Sequence, residues 1–146
     1  MSQKIITFEI VTPERVVFRE EIRQITVPTT SGEVTILPEH IPLVSILKPG
    51  VLEIKKSDDT WEIISVSGGF LEVLRDKIVI LADTAERAVE LDEQRIEEAR
   101  ARAEEAKKNA INVDQMEFAR IAAQLEKELA RTRALNRWRK IKGFSK

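Results

Sequence analysis

Lys77-Ile78-Val79-Ile80-Leu81-Ala82 and Arg95-Ile96-Glu97-Glu98-Ala99-Arg100-Ala101-Arg102-Ala103 stand thirteen residues apart and are written in different vocabularies. The first is rich in branched side chains, which suit a pleated sheet. The second repeats alanine among charges, and alanine loses almost no side-chain entropy in a helix. The contrast extends outward to the whole chain. Residues 1–86 hold 23 Val plus Ile and two Ala, whereas residues 87–146 hold six Val plus Ile and eleven Ala. All five prolines and four of the five glycines precede Leu71, and none of either occurs from Leu71 to Lys142. The reading is a β + α chain: a β domain over 1–86 followed by a helical domain over 87–146.

Within the first domain, short apolar runs alternate with turn signals, giving strands at 4–11, 16–19, 21–27, 33–36, 43–47, 51–56, 60–67, 70–75 and 77–82. Asp58-Asp59 and Asp76 mark hairpin tips. No helical stretch separates the strands, so the crossovers of a parallel sheet are missing and an antiparallel sandwich is expected. In the second domain, Asp92 is a good N-cap for a helix running to about Lys108. Asn109-Ala110-Ile111-Asn112 interrupts it, and Asn112 with Gln115 forms a capping box for a second helix to about Lys142. So short a break implies an antiparallel two-helix hairpin. Ile96, Ala99, Ala103, Ala106 and Ala110 make a narrow stripe on the first helix. Phe118, Ile121, Leu125 and Leu129 make a bulkier one on the second. A mostly alanine stripe contributes little apolar area, while high helix propensity lets the helices persist undocked, which suits a movable arm.

Composition excludes several classes of function. There is no cysteine and one histidine, His40, which removes disulfide frameworks, thiol chemistry and most triads or histidine metal clusters. Gly68-Gly69 precedes no helix, so it is no phosphate loop. The N-terminus lacks the long apolar run of a signal peptide, and no stretch approaches the ~20 apolar residues of a membrane span. A net charge of −1 conceals an acidic first domain and a basic end. Residues 127–146 carry eight basic groups against Glu128. With only Trp138 and Phe144 interleaved and no recognition fold, these charges indicate an acidic protein partner and not nucleic acid.

Four segments carry a resemblance. Ser31-Gly32-Glu33-Val34-Thr35-Ile36-Leu37-Pro38-Glu39-His40-Ile41-Pro42-Leu43-Val44 is followed by Ser67-Gly68-Gly69-Phe70-Leu71-Glu72-Val73. Then come Ala82-Asp83-Thr84-Ala85-Glu86-Arg87 and Leu91-Asp92-Glu93-Gln94-Arg95. In this order they resemble the epsilon subunits of bacterial rotary, proton-translocating ATP synthases, over essentially the whole chain. The resemblance implies a sandwich of about ten strands and a two-helix C-terminal domain. It implies a non-catalytic central-stalk subunit at the cytoplasmic face of the plasma membrane, peripheral and without membrane insertion. Its partners would be the gamma subunit, the ring of c subunits and the catalytic alpha and beta subunits. The hairpin would either fold against the sandwich or extend along gamma and inhibit ATP hydrolysis.

Residue by residue, the resemblance places Glu33, in a turn, towards the c ring, and His40, between Pro38 and Pro42, close to gamma. Glu39 stands where the family commonly has glycine. The family's nucleotide motif (Ile or Leu, Asp, two variable positions, Arg, Ala) is matched by Leu91, Asp92 and Arg95, with Ile96 in place of alanine. Arg133 and Arg137 on the second helix are the expected phosphate partners, and ATP is a candidate regulatory ligand with no cofactor required. In the extended state Arg131, Arg133, Arg137, Trp138, Arg139 and Lys140 would face the catalytic beta subunits. The alternatives are a structural adaptor whose hairpin never leaves the sandwich and an ATP-sensing module.

Overall fold

A computed structural model describes residues 4–110 and 113–143. Nine strands are followed by one 3-10 turn and two helices. The strands are β1 (Ile6–Val11), β2 (Val16–Thr29), β3 (Gly32–Ile36), β4 (Leu43–Leu47), β5 (Gly50–Lys56), β6 (Trp61–Val66), β7 (Gly69–Val73), β8 (Lys77–Ala82) and β9 (Ala85–Arg87). The 3-10 turn is Ala88–Glu90, and the helices are α1 (Glu93–Lys108) and α2 (Gln115–Gly143).

Two layers share β2. One runs β1-β8-β7-β4, the other β3-β2-β5-β6-β9. β2 belongs to both because its N-terminal half pairs with β1 and its C-terminal half with β3 and β5, with a register shift between Ile22 and Gln24. Sequence reading divided it into 16–19 and 21–27. Nothing in Glu20-Glu21 reverses the chain, so the strand bends at an irregularity and continues. β9 escaped notice because three residues without a branched side chain carry no periodic signal. Nine strands stand among the described residues where the resemblance implied about ten. The all-antiparallel expectation also needs correction, since β1 and β8 pair in parallel. The intervening strands themselves carry the chain between layers, and no helix is needed for that crossover.

Between the layers, Phe8, Ile10, Ile22, Ile25, Ile36, Leu52, Ile54, Ile64, Leu71, Ile78 and Ile80 are fully buried. Phe8 and Phe18 stack at 5.8 Å between ring centroids. Gly69 is required where β7 meets β8. Its φ is +138°, and a Cβ there would lie 2.1 Å from the Leu81 carbonyl oxygen. Glu39 also adopts a left-handed conformation (φ 71°) without being glycine, and its carboxylate holds Lys4 Nζ at 2.6 Å.

The helices begin on acidic caps. Arg95 N–H donates to the Asp92 carboxylate at 3.2 Å, as expected. Glu117 N–H donates to Asp114 at 2.7 Å, so Asp114 caps α2 and Gln115 is its first residue. Asn112, the expected cap, lies outside the described residues.

Candidate functional site

The outer face of one layer is covered by α2. β6 shows it directly, because Glu62 through Val66 are buried on both faces of the strand. Ala130 and Ala134 on α2 are fully buried. Ala134 packs in a cluster with Ile63 and Ala88, flanked by Val51, Leu91, Trp138 and Ile141. Alanine lets the helix approach the sheet closely but buries little apolar area of its own. This second face of α2 was missed in the sequence, where the stripe through Leu125 and Leu129 drew attention. Of those stripes, Ile96, Ala103 and Leu125 are buried, while Ala106 and Phe118 near the hairpin tip are exposed.

Ion pairs frame the seam. Arg131 Nε donates to Glu86 Oε1 on β9 at 2.7 Å, and its Nη1 to Glu128 Oε1, also at 2.7 Å. Arg137 Nε donates to Glu53 Oε1 on β5 at 2.6 Å. Arg139 grips both carboxylate oxygens of Glu93 in the first turn of α1, one of them at 2.6 Å. That hydrogen bond is the main reason the Glu93 carboxyl titrates below its ordinary 4.5. Of the residues expected to face the catalytic subunits, these three arginines are engaged within the chain, and Trp138 is half-buried in the seam. Arg133 and Lys140 are exposed, with no ion pair among the described residues.

The end of the sheet is fastened separately. Both Glu62 oxygens accept from Arg87, at 2.7 and 2.9 Å, and this raises the Arg87 pKa. The same guanidinium lies 6.0 Å from the Phe18 ring centroid.

Between the helices and β9 lies an open crevice of about 330 Å³, whose walls include Leu91, Asp92, Arg95, Arg102, Glu128 and Arg131. It unites the three matched motif residues. The expected partners on α2 do not join them, because Arg133 points to solvent and Arg137 is held by Glu53. Arg131 takes their place, with Arg102 added from α1. Sequence reading missed both because helix phase, not local sequence, decides which arginine turns inward. Ile96 also lines the crevice but is only 6% exposed, and so belongs mostly to the packed helix pair.

The opposite layer presents an apolar face. Ile46, Phe70 and Leu81 sit in register across β4, β7 and β8 and are each more than half exposed, with Val44 at 72%. Outward positions on a one-sided antiparallel sheet are normally polar, so this row is an apolar patch left open on the sandwich surface. The signal was available in Leu43–Leu47, which is apolar at four of its five positions. Glu33 is on β3 opposite Pro28, and not in the turn. Thr29 Oγ1 closes that turn earlier, donating to the Gly32 carbonyl at 2.5 Å. His40 is half-buried, with Nδ1 2.7 Å from the carbonyl of Ile41. Among the described residues no group of three or more His, Asp or Glu is placed to hold a metal, and no helix is long and apolar enough to cross a membrane.

Residues 5–88 match the family described as ATP synthase, Delta/Epsilon chain, beta-sandwich domain. The ATP synthase epsilon chain of Dichelobacter nodosus is 44% identical over 134 residues, covering 89% of this chain and 94% of that one. The ATP synthase epsilon chain of Chloroflexus aggregans is 48% identical over 128 residues, covering 88% and 90%. A chain in the solved Euglena gracilis mitochondrial ATP synthase (OSCP/F1/c-ring) superimposes with a TM-score of 0.76 at 23% identity, over 90% of this chain and 81% of that one. One from the central stalk/c-ring structure of the Tetrahymena thermophila enzyme gives 0.60 at 17%, over 92% and 99%. At those identities the two structures establish the shared fold.

Proposed function

The chain belongs to the ATP synthase delta/epsilon family, as an epsilon-type, non-catalytic central-stalk subunit, and from that premise we propose that it couples rotation and brakes hydrolysis with separate parts. The sandwich binds the gamma subunit and rests on the c ring at the cytoplasmic face of the membrane. The apolar row of Ile46, Phe70 and Leu81 supplies the gamma-binding surface. The hairpin is the brake, docked in this structure and able to extend towards the catalytic alpha and beta subunits. One observation carries this reading: the sandwich core closes without the hairpin, which is attached through an alanine seam and surface ion pairs. The test is ATP hydrolysis by the reconstituted catalytic head, with the full chain against one truncated after Glu90. Faster hydrolysis with the truncated chain is expected. Equal rates would leave a structural adaptor.

The crevice supports a second reading, in which ATP is a regulatory ligand that favours the docked hairpin. Arg95, Arg102 and Arg131 line it with Asp92, but so do Glu86, Glu90, Glu98 and Glu128. A phosphate would have to draw the arginines away from carboxylates such as Glu86 and Glu128, which hold Arg131. ATP titration should then be weakened by Arg131→Ala and unaffected by Arg133→Ala. No heat or fluorescence change at millimolar ATP with the unaltered chain would remove this reading.

A further inference from the structure

The basic end of α2 is divided by its partners. Arg131 and Arg137 tie the helix to the sandwich, through Glu86 on β9 and Glu53 on β5. Arg139 ties it to Glu93, and so closes the hairpin upon itself. Arg131 is also held from within its own helix, because Glu128 accepts from its Nη1 one turn back. The Glu128 side chain is only 1% exposed, and its carboxylate is further fixed by Gln124 Nε2 at 2.9 Å. Glu128 therefore aims the guanidinium at Glu86 before docking, which lowers the entropy lost when the tie forms. On the sandwich side the chain is fastened as far as Arg87 by Glu62. Beyond Arg87, Ala88 is packed against Ile63 of the sheet and Leu91 flanks that cluster, while Val89 is exposed and Glu90 pairs with Arg15 at 3.6 Å.

We infer that Arg131–Glu86 and Arg137–Glu53 form an electrostatic latch that sets the docking equilibrium of the hairpin on the sandwich. On the helix side the seam's two fully buried residues are alanines, with Trp138 and Ile141 only partly buried beside them, so the ion pairs carry weight in that equilibrium. The ties are partly exposed, from 21% to 46% by side chain, so they are strong enough to bias the equilibrium and weak enough to be screened by salt. Arg139–Glu93 moves with the hairpin and survives undocking. The latch follows from the docked geometry, while its meaning for hydrolysis rests on the reading above.

The test uses the full chain with Trp61→Phe, which leaves Trp138 as the sole indole. Undocking strips the Trp138 ring of its sheet contacts and shifts its emission to longer wavelength. Raising NaCl from about 0.05 to 1 M should produce that shift with unchanged far-UV circular dichroism. Glu53→Gln with Glu86→Gln breaks both ties without stranding Glu128. It should raise the ratio of undocked to docked chains on the order of ten-fold at low salt. Arg137→Glu should undock the hairpin, and adding Glu53→Arg should restore docking. The chain has no cysteine, so nitroxides at Glu72→Cys and Asn136→Cys give an independent distance. Docked emission and an unchanged distance in the double variant, or loss of helical signal in it, or failure of the charge swap to rescue, would each overturn the latch. A salt-released hairpin beside truncation-insensitive hydrolysis would keep the latch and remove the brake. A salt-insensitive hairpin beside truncation-relieved hydrolysis would do the reverse.

Discussion

The interior of the sandwich and the seam beneath α2 are both dry and well packed, yet they are built from opposite materials. The interior is Ile, Leu, Val and Phe, with Phe8, Ile22 and Ile54 among the residues sealed completely. The seam seals Ala130 and Ala134, and its rim is closed by arginine and glutamate. Burying an Ile or Leu side chain stabilises by about 1.5–3 kcal/mol, against roughly 0.8 kcal/mol for a single methyl-sized group. One region is made to remain closed and the other to release. The sharpest way to break that contrast is to compare one core residue with the entire hairpin. Ile54→Ala should cost about 2–5 kcal/mol in denaturant unfolding. Truncation after Glu90 should cost less than that single substitution, with a cooperative transition retained. A larger loss on truncation would make the hairpin part of the core. The cut must fall after Arg87 because its bidentate bond to Glu62 belongs to the sheet, so a 1–86 fragment would lack it.

A smaller effect should come from overfilling the seam. Ala134 is fully buried against Ile63 and Ala88, leaving no room for a longer side chain. Ala134→Leu should weaken docking by about 1–3 kcal/mol through overpacking. Calorimetry should show the sandwich melting almost as before, with Trp138 already exposed. If the sandwich melted markedly earlier, the seam would be continuous with the core.

The same contrast explains what the sequence disclosed. The succession of sheet and two helices, and most strand positions, were legible because periodicity and vocabulary are local. β9, which runs Ala85–Arg87, was not legible because it has no pattern of its own. The parallel β1–β8 pair was invisible, since strand order is decided by packing between distant segments. At the site, Leu91, Asp92 and Arg95 were marked by the family resemblance alone, whereas the Asp92 cap was legible from the residues and is observed. Arg131 was placed among residues facing a distant partner because nothing local reveals that Glu86, 45 residues away, would meet it. The second apolar face of α2 was hidden for a related reason. Ala130 and Ala134 look like helix formers until a sheet is laid against them.

The divided basic end gives a finer comparison, between engaged and exposed cations. Replacing all five of Arg131, Arg133, Arg137, Arg139 and Lys140 would mix two roles. Arg133→Gln with Lys140→Gln leaves every observed docking pair intact, and so should relieve inhibition of hydrolysis without moving Trp138. Glu53→Gln with Glu86→Gln should do the opposite, undocking the hairpin and deepening inhibition. Each exposed pair contributes below about 1 kcal/mol, so changes of several-fold in rate are expected. Hydrolysis moving in the same direction in both variants would show that docking and braking are not competing states.

The smallest effect concerns acid. Arg139 holds the Glu93 carboxyl below its ordinary 4.5, chiefly by hydrogen bonding, and Arg19 does the same for Glu9 on β1. A depressed carboxyl contributes stability that is present above the unfolded value and is lost as pH falls through the folded one. Both contributions therefore begin to be lost below about pH 4.5 and are gone below the lower folded values, but they act on different regions. Glu9 lies against a sheet closed by a large apolar core, whereas Glu93 closes the base of a helix pair with a thin alanine stripe. Acidification should accordingly loosen the hairpin before it affects the sandwich. The measurement is the distance between nitroxides at Gln94→Cys and Asn136→Cys, followed from about pH 6 to 3, beside the thermal midpoint of the sandwich. Glu93→Gln, which cannot ionise, should hold the hairpin slightly looser at neutral pH and flatten the part of the acid response that belongs to this pair. An acid response identical with and without Glu93→Gln would show that the Arg139–Glu93 pair does not carry the loosening, and would overturn this account of it.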